Sequence, residues 1–320
     1  MLAWAKQGVL LDPVRGPWLG VARTLIALGT LGTLALTPTS ALFNHLRFFG
    51  QAPFCDGLAA VSIFCIGSSQ LGLIRAGAIA ILLVVAIGWL PAWTAVPHWW
   101  VSFSVFQSVG LPDGGDQIAM ILSGLLIPVL IFDSRTWHWQ RASAEPDGAR
   151  AAITWTAVWA IRLQISFLYL QAGISKLYVP EWRDGTALYY WSTNVMFGAS
   201  STMEPVARAI YNTPFLMGVL GGFTILLELV LGVAILLPPR VRHFLFPLGL
   251  VLHFSIGVAI GLWSFAFIMF GALVLLLTPL GRVLPWRRLV STPRDSKSPE
   301  IKSHPVVQEV VPARKKEMTQ

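Results

Sequence analysis

Apolar residues in this chain come in blocks rather than in alternation. Runs at about 21–36, 71–90, 118–132, 151–171, 215–237, 244–262 and 265–278 carry almost no charge. A helix needs roughly 20 apolar residues to cross about 30 Å of hydrocarbon. In lipid each segment must satisfy its own backbone polar groups, so such runs are helices. The pattern predicts an all-α fold, a polytopic transmembrane helical bundle. Stop and turn signals punctuate it: Thr37-Pro38-Thr39-Ser40 after the first run, Pro91 after the second, and Pro112-Asp113-Gly114-Gly115-Asp116 before the third.

Parity adds a helix. Arg135, Arg141 and Arg150, then Arg240 and Arg242, then a basic tail all lie between or after runs. Lys and Arg collect on the cytoplasmic side, so these segments and the N-terminal lead-in read as cytoplasmic. Three runs before Asp133 are an odd number, while both ends of that region look cytoplasmic. The segment 98–111 is the apolar candidate for the missing crossing. About eight passes are expected, one of them short or broken, with a cavity near His98–Asp116, because irregular backbone at that depth must line one. The organisation is a cytoplasmic lead-in at 1–20, a membrane domain at 21–280 and a disordered basic cytoplasmic tail at 281–320. Both termini face the cytoplasm of a multi-pass cell-membrane protein.

Composition agrees with this. Hydrophobic residues make up 55% and charged residues 12% of the chain, against roughly 25% charged in soluble domains. The net charge of +8 follows from the cytoplasmic loops and tail, and calls for no nucleic-acid partner. Two cysteines, Cys55 and Cys65, are too few for a disulfide scaffold or a four-ligand zinc site. They fall on the extracytoplasmic side, as one disulfide or as two free thiols. No nucleotide loop, HExxH, CxxC or serine-hydrolase elbow is present, and no metal site is expected.

Charged residues inside the runs are the candidate chemistry, since an intramembrane charge costs roughly 2.5–3.5 kcal/mol on insertion scales. Arg162, Glu228 and His253 all sit mid-run. Arg162 is either a structural partner of Glu228 or a functional group in its own right. Glu228 and His253 could move protons or simply bond across helices. Lys176 follows an apolar helix end, where a lysine either snorkels to the interface or serves as a base. Asp113 and Asp116 could hold a cation or polarise a substrate. A turn and helix cap explain them equally well.

The run Arg162-Leu163-Gln164 through Tyr169, Ala172-Gly173, Lys176-Leu177, Trp182, Gly185 and Ala187-Leu188 resembles the core of the horizontally transferred transmembrane (HTTM) superfamily, which includes the vitamin K-dependent gamma-carboxylases. So does Leu252-His253-Phe254 through Gly261–Phe265. Three further stretches resemble the sporulation-delaying protein B (SdpB) family: Pro17-Trp18 through Arg23-Thr24 to Thr30; His98-Trp99-Trp100 to Ser104; and Asp113-Gly114-Gly115-Asp116-Gln117. The SdpB resemblance implies maturation of an exported peptide-toxin precursor together with a small SdpA-like partner. The carboxylase resemblance places Lys176 at the position of the base that deprotonates reduced vitamin K. It also implies a quinone- or lipid-like ligand in the bundle. Where carboxylases carry Asn-Asn-His, this chain has Trp100-Val101-Ser102-Phe103, so gamma-carboxylation itself does not transfer. The expected site is a cavity with Lys176, His253, Glu228 and Arg162 inside, Tyr169 on its helix, His98, Trp99, Asp113 and Asp116 along its wall, and Trp182 at the outer interface. Three functions fit: a toxin-maturation factor, a quinone-dependent enzyme, or a non-enzymatic toxin-binding scaffold or immunity factor.

Overall fold

The protein is described by a computed structural model at residues 14–46, 50–110, 112–140, 148–194 and 198–281. These lie in one compact unit. The tail beyond Gly281 and the first thirteen residues of the lead-in lie outside the described residues.

Eight helices form the body: α1 (Pro17–Leu36), α2 (Leu71–Ile87), α3 (Ala95–Ser108), α4 (Gly114–Leu130), α5 (Gly148–Tyr178), α6 (Pro214–Gly232), α7 (Pro239–Ile260) and α8 (Trp263–Leu277). Five are long and apolar enough to cross a membrane, and α4 and α8 are shorter apolar helices. The eighth, α3, fills the gap that parity left. It is short but unbroken, its 14 residues spanning about 21 Å.

A cap formed by residues 37–46 and 50–70 covers one end of α3. Its backbone meets the end of α3, where Phe54 N donates to Ser108 O at 3.2 Å and Gly110 N to Leu42 O at 2.8 Å. Trp100 Nε1 donates to Val61 O at 2.9 Å, and Ser108 Oγ to Ser62 Oγ at 2.6 Å. Cys55 and Cys65 are bridged within this cap. Its strand content is a two-residue pair, His45–Leu46 with Gly50–Gln51. Arg75 of α2 ties it to α1 by donating to Leu34 O at 2.7 Å and Thr37 O at 2.9 Å.

α8 is the hub. It is apolar all round and buried from Gly271 to Leu277, as such a helix must be. It packs most extensively on α1, and also on α7, α4 and α5. Glycines let α1 and α8 approach. A Cβ on Gly29 would lie 2.4 Å from Ile268 Cγ1, and one on Gly271 would lie 2.8 Å from Ala22 O. Leucines and phenylalanines instead cover the outer faces. Phe215, Val219, Phe223 and Leu226 form an exposed stripe along α6, and Phe244, Val251 and Phe254 one along α7. Such faces suit hydrocarbon rather than water.

Two boundaries differ from expectation. α5 runs through Tyr178 rather than stopping near 171, because nothing after Gly173 breaks a helix until Pro180. α7 starts at Pro239, so Arg240 and Arg242 lie in its first turn.

The helices have two distinct ends. At one, Arg15 donates to Phe132 O, His138 N to Gly88 O, and Gly16 abuts Gly281. The described charges there are Arg15, Arg135, Arg150, Arg240 and Arg242 against Asp133. The disulfide cap lies at the other end, with the connection between α5 and α6. Described charges there are mixed: Arg75, Lys176, Arg183 and Arg208 with Asp56, Asp113, Asp116, Glu181, Asp184 and Glu204.

Candidate functional site

Because α5 continues to Tyr178, Tyr169 and Lys176 are seven residues apart and share one face of the helix, about 10 Å from each other along it. α6 runs antiparallel beside that face. Its Leu229 fits over Gly173 and its Gly232 against Leu170, where added Cβ atoms would sit 2.9 Å and 2.5 Å from the facing leucines. This register delivers Glu228 to Lys176. The ammonium donates to both carboxylate oxygens, at 2.8 and 2.7 Å, and to Ala172 O at 3.3 Å. Trp182, just after the helix, places its ring 5.1 Å from Nζ, a cation–π distance.

Two helical turns deeper, Tyr169 OH lies 2.8 Å from His253 Nε2 of α7. Both side chains are buried. The His253 Nδ1 has no hydrogen-bond partner, and its ring packs on Phe265 of α8 at 5.6 Å. Glu228 and Lys176 are within electrostatic reach of Tyr169 and His253. The site is therefore two polar pairs stacked inside an apolar bundle, and it opens toward the capped end. Lys176 keeps about a fifth of its side chain accessible and Glu228 about a tenth.

The arrangement can hold and exchange a proton. A buried ion pair repays its desolvation only with good geometry and additional bonds, and both carboxylate oxygens here accept from the same ammonium. Anything that drew the carboxylate away would leave the Nζ ammonium free to release a proton, two helical turns from the Tyr–His hydrogen bond.

Arg162 does not pair with Glu228. It lies 14 residues before Lys176, about 21 Å nearer the opposite end of α5. There it donates to Leu275 O at 3.3 Å and Thr278 O at 3.2 Å, capping α8, and its guanidinium stands 5.9 Å from the Trp159 ring. Similar run positions in sequence had suggested equal depth, but the α5–α6 register sets the depth. His98 and Trp99 lie outside this site. Trp99 stacks on Phe103 and packs over Gly124 of α4, whereas His98 is buried near the opposite end. Asp113 and Asp116 form a reciprocal capping box at the start of α4, each accepting from the other's backbone at 3.0 and 3.1 Å. Thr33 of α1 also donates to Asp116, at 3.4 Å. Burial, the largest influence, raises the Asp113 carboxyl above the usual carboxylate range. Among the described residues no group of His, Cys, Asp and Glu is arranged to hold a metal ion.

In the connection between α5 and α6, a cleft of about 330 Å³ is lined by Ser192, Thr193, Glu204 and Tyr211, among others. Tyr178, Tyr190 and Trp191 stand exposed on the same connection. Sequence reasoning missed this cleft, because short helices at Ala187–Ser192 and Glu204–Tyr211 create it.

Fold and site define a multi-pass helical membrane protein with a buried, ion-paired site near one end of its bundle. Among known proteins, the chain is 34% identical over 300 residues to the uncharacterised protein YitO of Bacillus subtilis strain 168, covering 91% of this chain and 96% of that one. It is 30% identical over 271 residues to the sporulation-delaying protein SdpB of the same organism, covering 82% and 83%. The chain belongs to the SdpB family. No family model and no solved structure matches it.

Proposed function

We propose that this protein acts in the production of an exported peptide toxin, and that the Lys176–Glu228 and Tyr169–His253 pairs are its working site. One observation carries the reading: a lysine embedded in the bundle, ion-paired and covered by Trp182, faces the end that bears the disulfide. Disulfides persist in oxidising compartments, and the opposite end carries the arginine excess expected of the cytoplasmic side. The site thus opens where an exported precursor would arrive, with exposed tyrosines and tryptophans around it to meet an apolar peptide. Both termini lie in the cytoplasm, and a small SdpA-like protein is the expected partner on the outer face.

The test is mass spectrometry of the secreted peptide from cells carrying the toxin genes with wild-type protein, Lys176→Ala or Glu228→Gln. The expected result is a stably inserted variant with the mature peptide absent or shifted in mass, the shift naming the step. An unchanged peptide from both variants would leave the lysine as an anchor and make the protein a scaffold or immunity factor. The resemblance to carboxylases would put Lys176 in the role of the carboxylase base. A quinone co-purifying with wild-type protein and lost from Lys176→Ala would move the reading to a quinone-dependent enzyme of the HTTM kind.

A further inference from the structure

A second group of buried polar side chains lies toward the arginine-rich end, away from Lys176. Arg23 of α1 is fully buried. Its Nη2 donates to Thr94 Oγ1 at 2.7 Å, but its Nε and Nη1 have no hydrogen-bond partner. His98 and Ser102 of α3 follow Thr94 at successive four-residue steps, so all three share one side of that segment. Both are 1% exposed, and His98 Nε2 and Ser102 Oγ also lack partners. The seam joins two of the stretches singled out in the sequence, 17–30 and 98–104.

Native proteins leave few buried polar groups without a partner. A buried guanidinium is a stronger case, because it is always charged and only donates. Water could satisfy its hydrogen bonds but not its charge. No carboxylate within the described residues is hydrogen-bonded to it. Asp133 lies within electrostatic reach of Arg23, but it is held by Arg135, which donates to both of its oxygens and whose own charge opposes that help. Asp116 meets α1 at Thr33, ten residues or about 15 Å further along the helix. A metal ion is excluded by the positive charge.

We infer that this seam binds a small oxyanionic group of the carboxylate or phosphate class. Arg23 supplies the charge, and His98 Nε2 in its protonated tautomer, with the Ser102 hydroxyl one turn further along α3, supplies neutral donors. The group can reach the seam as the head of an anionic lipid or as a free anion from the arginine-rich side.

The test uses the full chain in nanodiscs of neutral phosphatidylcholine, with and without inorganic phosphate or formate, and in nanodiscs that also contain phosphatidylglycerol. Thermal midpoint and native mass spectrometry are read for wild type, Arg23→Gln and Ser102→Ala. The expected result is a midpoint raised by one of these anions in wild type. The apparent affinity should fall at least tenfold in Arg23→Gln and several-fold in Ser102→Ala. A response to free phosphate or formate in neutral nanodiscs identifies a soluble ion, and a response to phosphatidylglycerol alone identifies a lipid head. Should Arg23→Gln fail to fold, Ser102→Ala decides the matter by its weakened response. A wild-type midpoint indifferent to every anion, or equal responses in all variants, would overturn the proposal and leave water in the seam.

Discussion

At Gly88 the backbone turns left-handed, with φ +93°, to end α2, and a Cβ there would lie 2.2 Å from the His138 ring. Conformation and space both demand glycine. Gly88→Ala should therefore lower the thermal midpoint markedly while Gly72→Ala, which meets nothing, should not. His138 itself, in the loop after α4, is held down from 6.5 to about 3, chiefly by burial and then by the nearby charges of Arg23 and Arg135. Below pH 6.5 the unfolded chain takes up a proton that the folded chain refuses. This contribution is therefore full above pH 6.5 and is lost as pH falls toward 3. By pH 5 the loss is about 2 kcal/mol. A pH series of thermal midpoints should decline between pH 6.5 and 4, and His138→Gln should flatten that slope. A slope unchanged by the substitution would assign it to other groups.

Helix–helix contact between apolar surfaces gains little from the hydrophobic effect in lipid, so close packing at small residues must hold the bundle. The α1–α8 seam is where this matters most. Gly29→Leu and Gly271→Leu each push a side chain into Ile268 or Ile26. Each should cost several kcal/mol, read as loss of folded protein after detergent extraction. Leu226→Ala, on the exposed stripe of α6, should extract normally. Element length also decides the chemistry. Had α5 ended near 171, Lys176 would have been a surface lysine; its continuation to Tyr178 carries the lysine onto the face that α6 covers.

The described helices have an arginine-rich end and, at the other, the disulfide cap, Lys176 and a mixture of acidic and basic groups. Reporter fusions after Leu130 should be active only as cytoplasmic markers, and fusions in the α5–α6 connection only as exported ones. An impermeant thiol reagent should label Cys55 and Cys65 in intact cells only after reduction. Labelling without reduction would mean that the bridge is absent, and protection after reduction would reverse the orientation.

Helix number, the short α3 and the positions of the buried ionisable residues follow from sequence alone, because the bilayer imposes one length and one periodicity on every span and parity checks the count. Glu228 and His253 were legible as candidates because polar groups inside apolar runs stand out; Lys176, beyond the end of its run, and Tyr169 were singled out by the family resemblance. Arg23 was less legible, since it sits near the start of its run and reads as a flank. Tertiary structure alone decided which groups meet. Glu228 pairs with Lys176 rather than Arg162 because glycines at 173 and 232 set the α5–α6 register, and no local pattern encodes the offset between two antiparallel helices. The Arg23–His98 seam arises in the same way, from α1 and the start of α3 meeting at the Arg23–Thr94 bond although 75 residues separate Arg23 and His98.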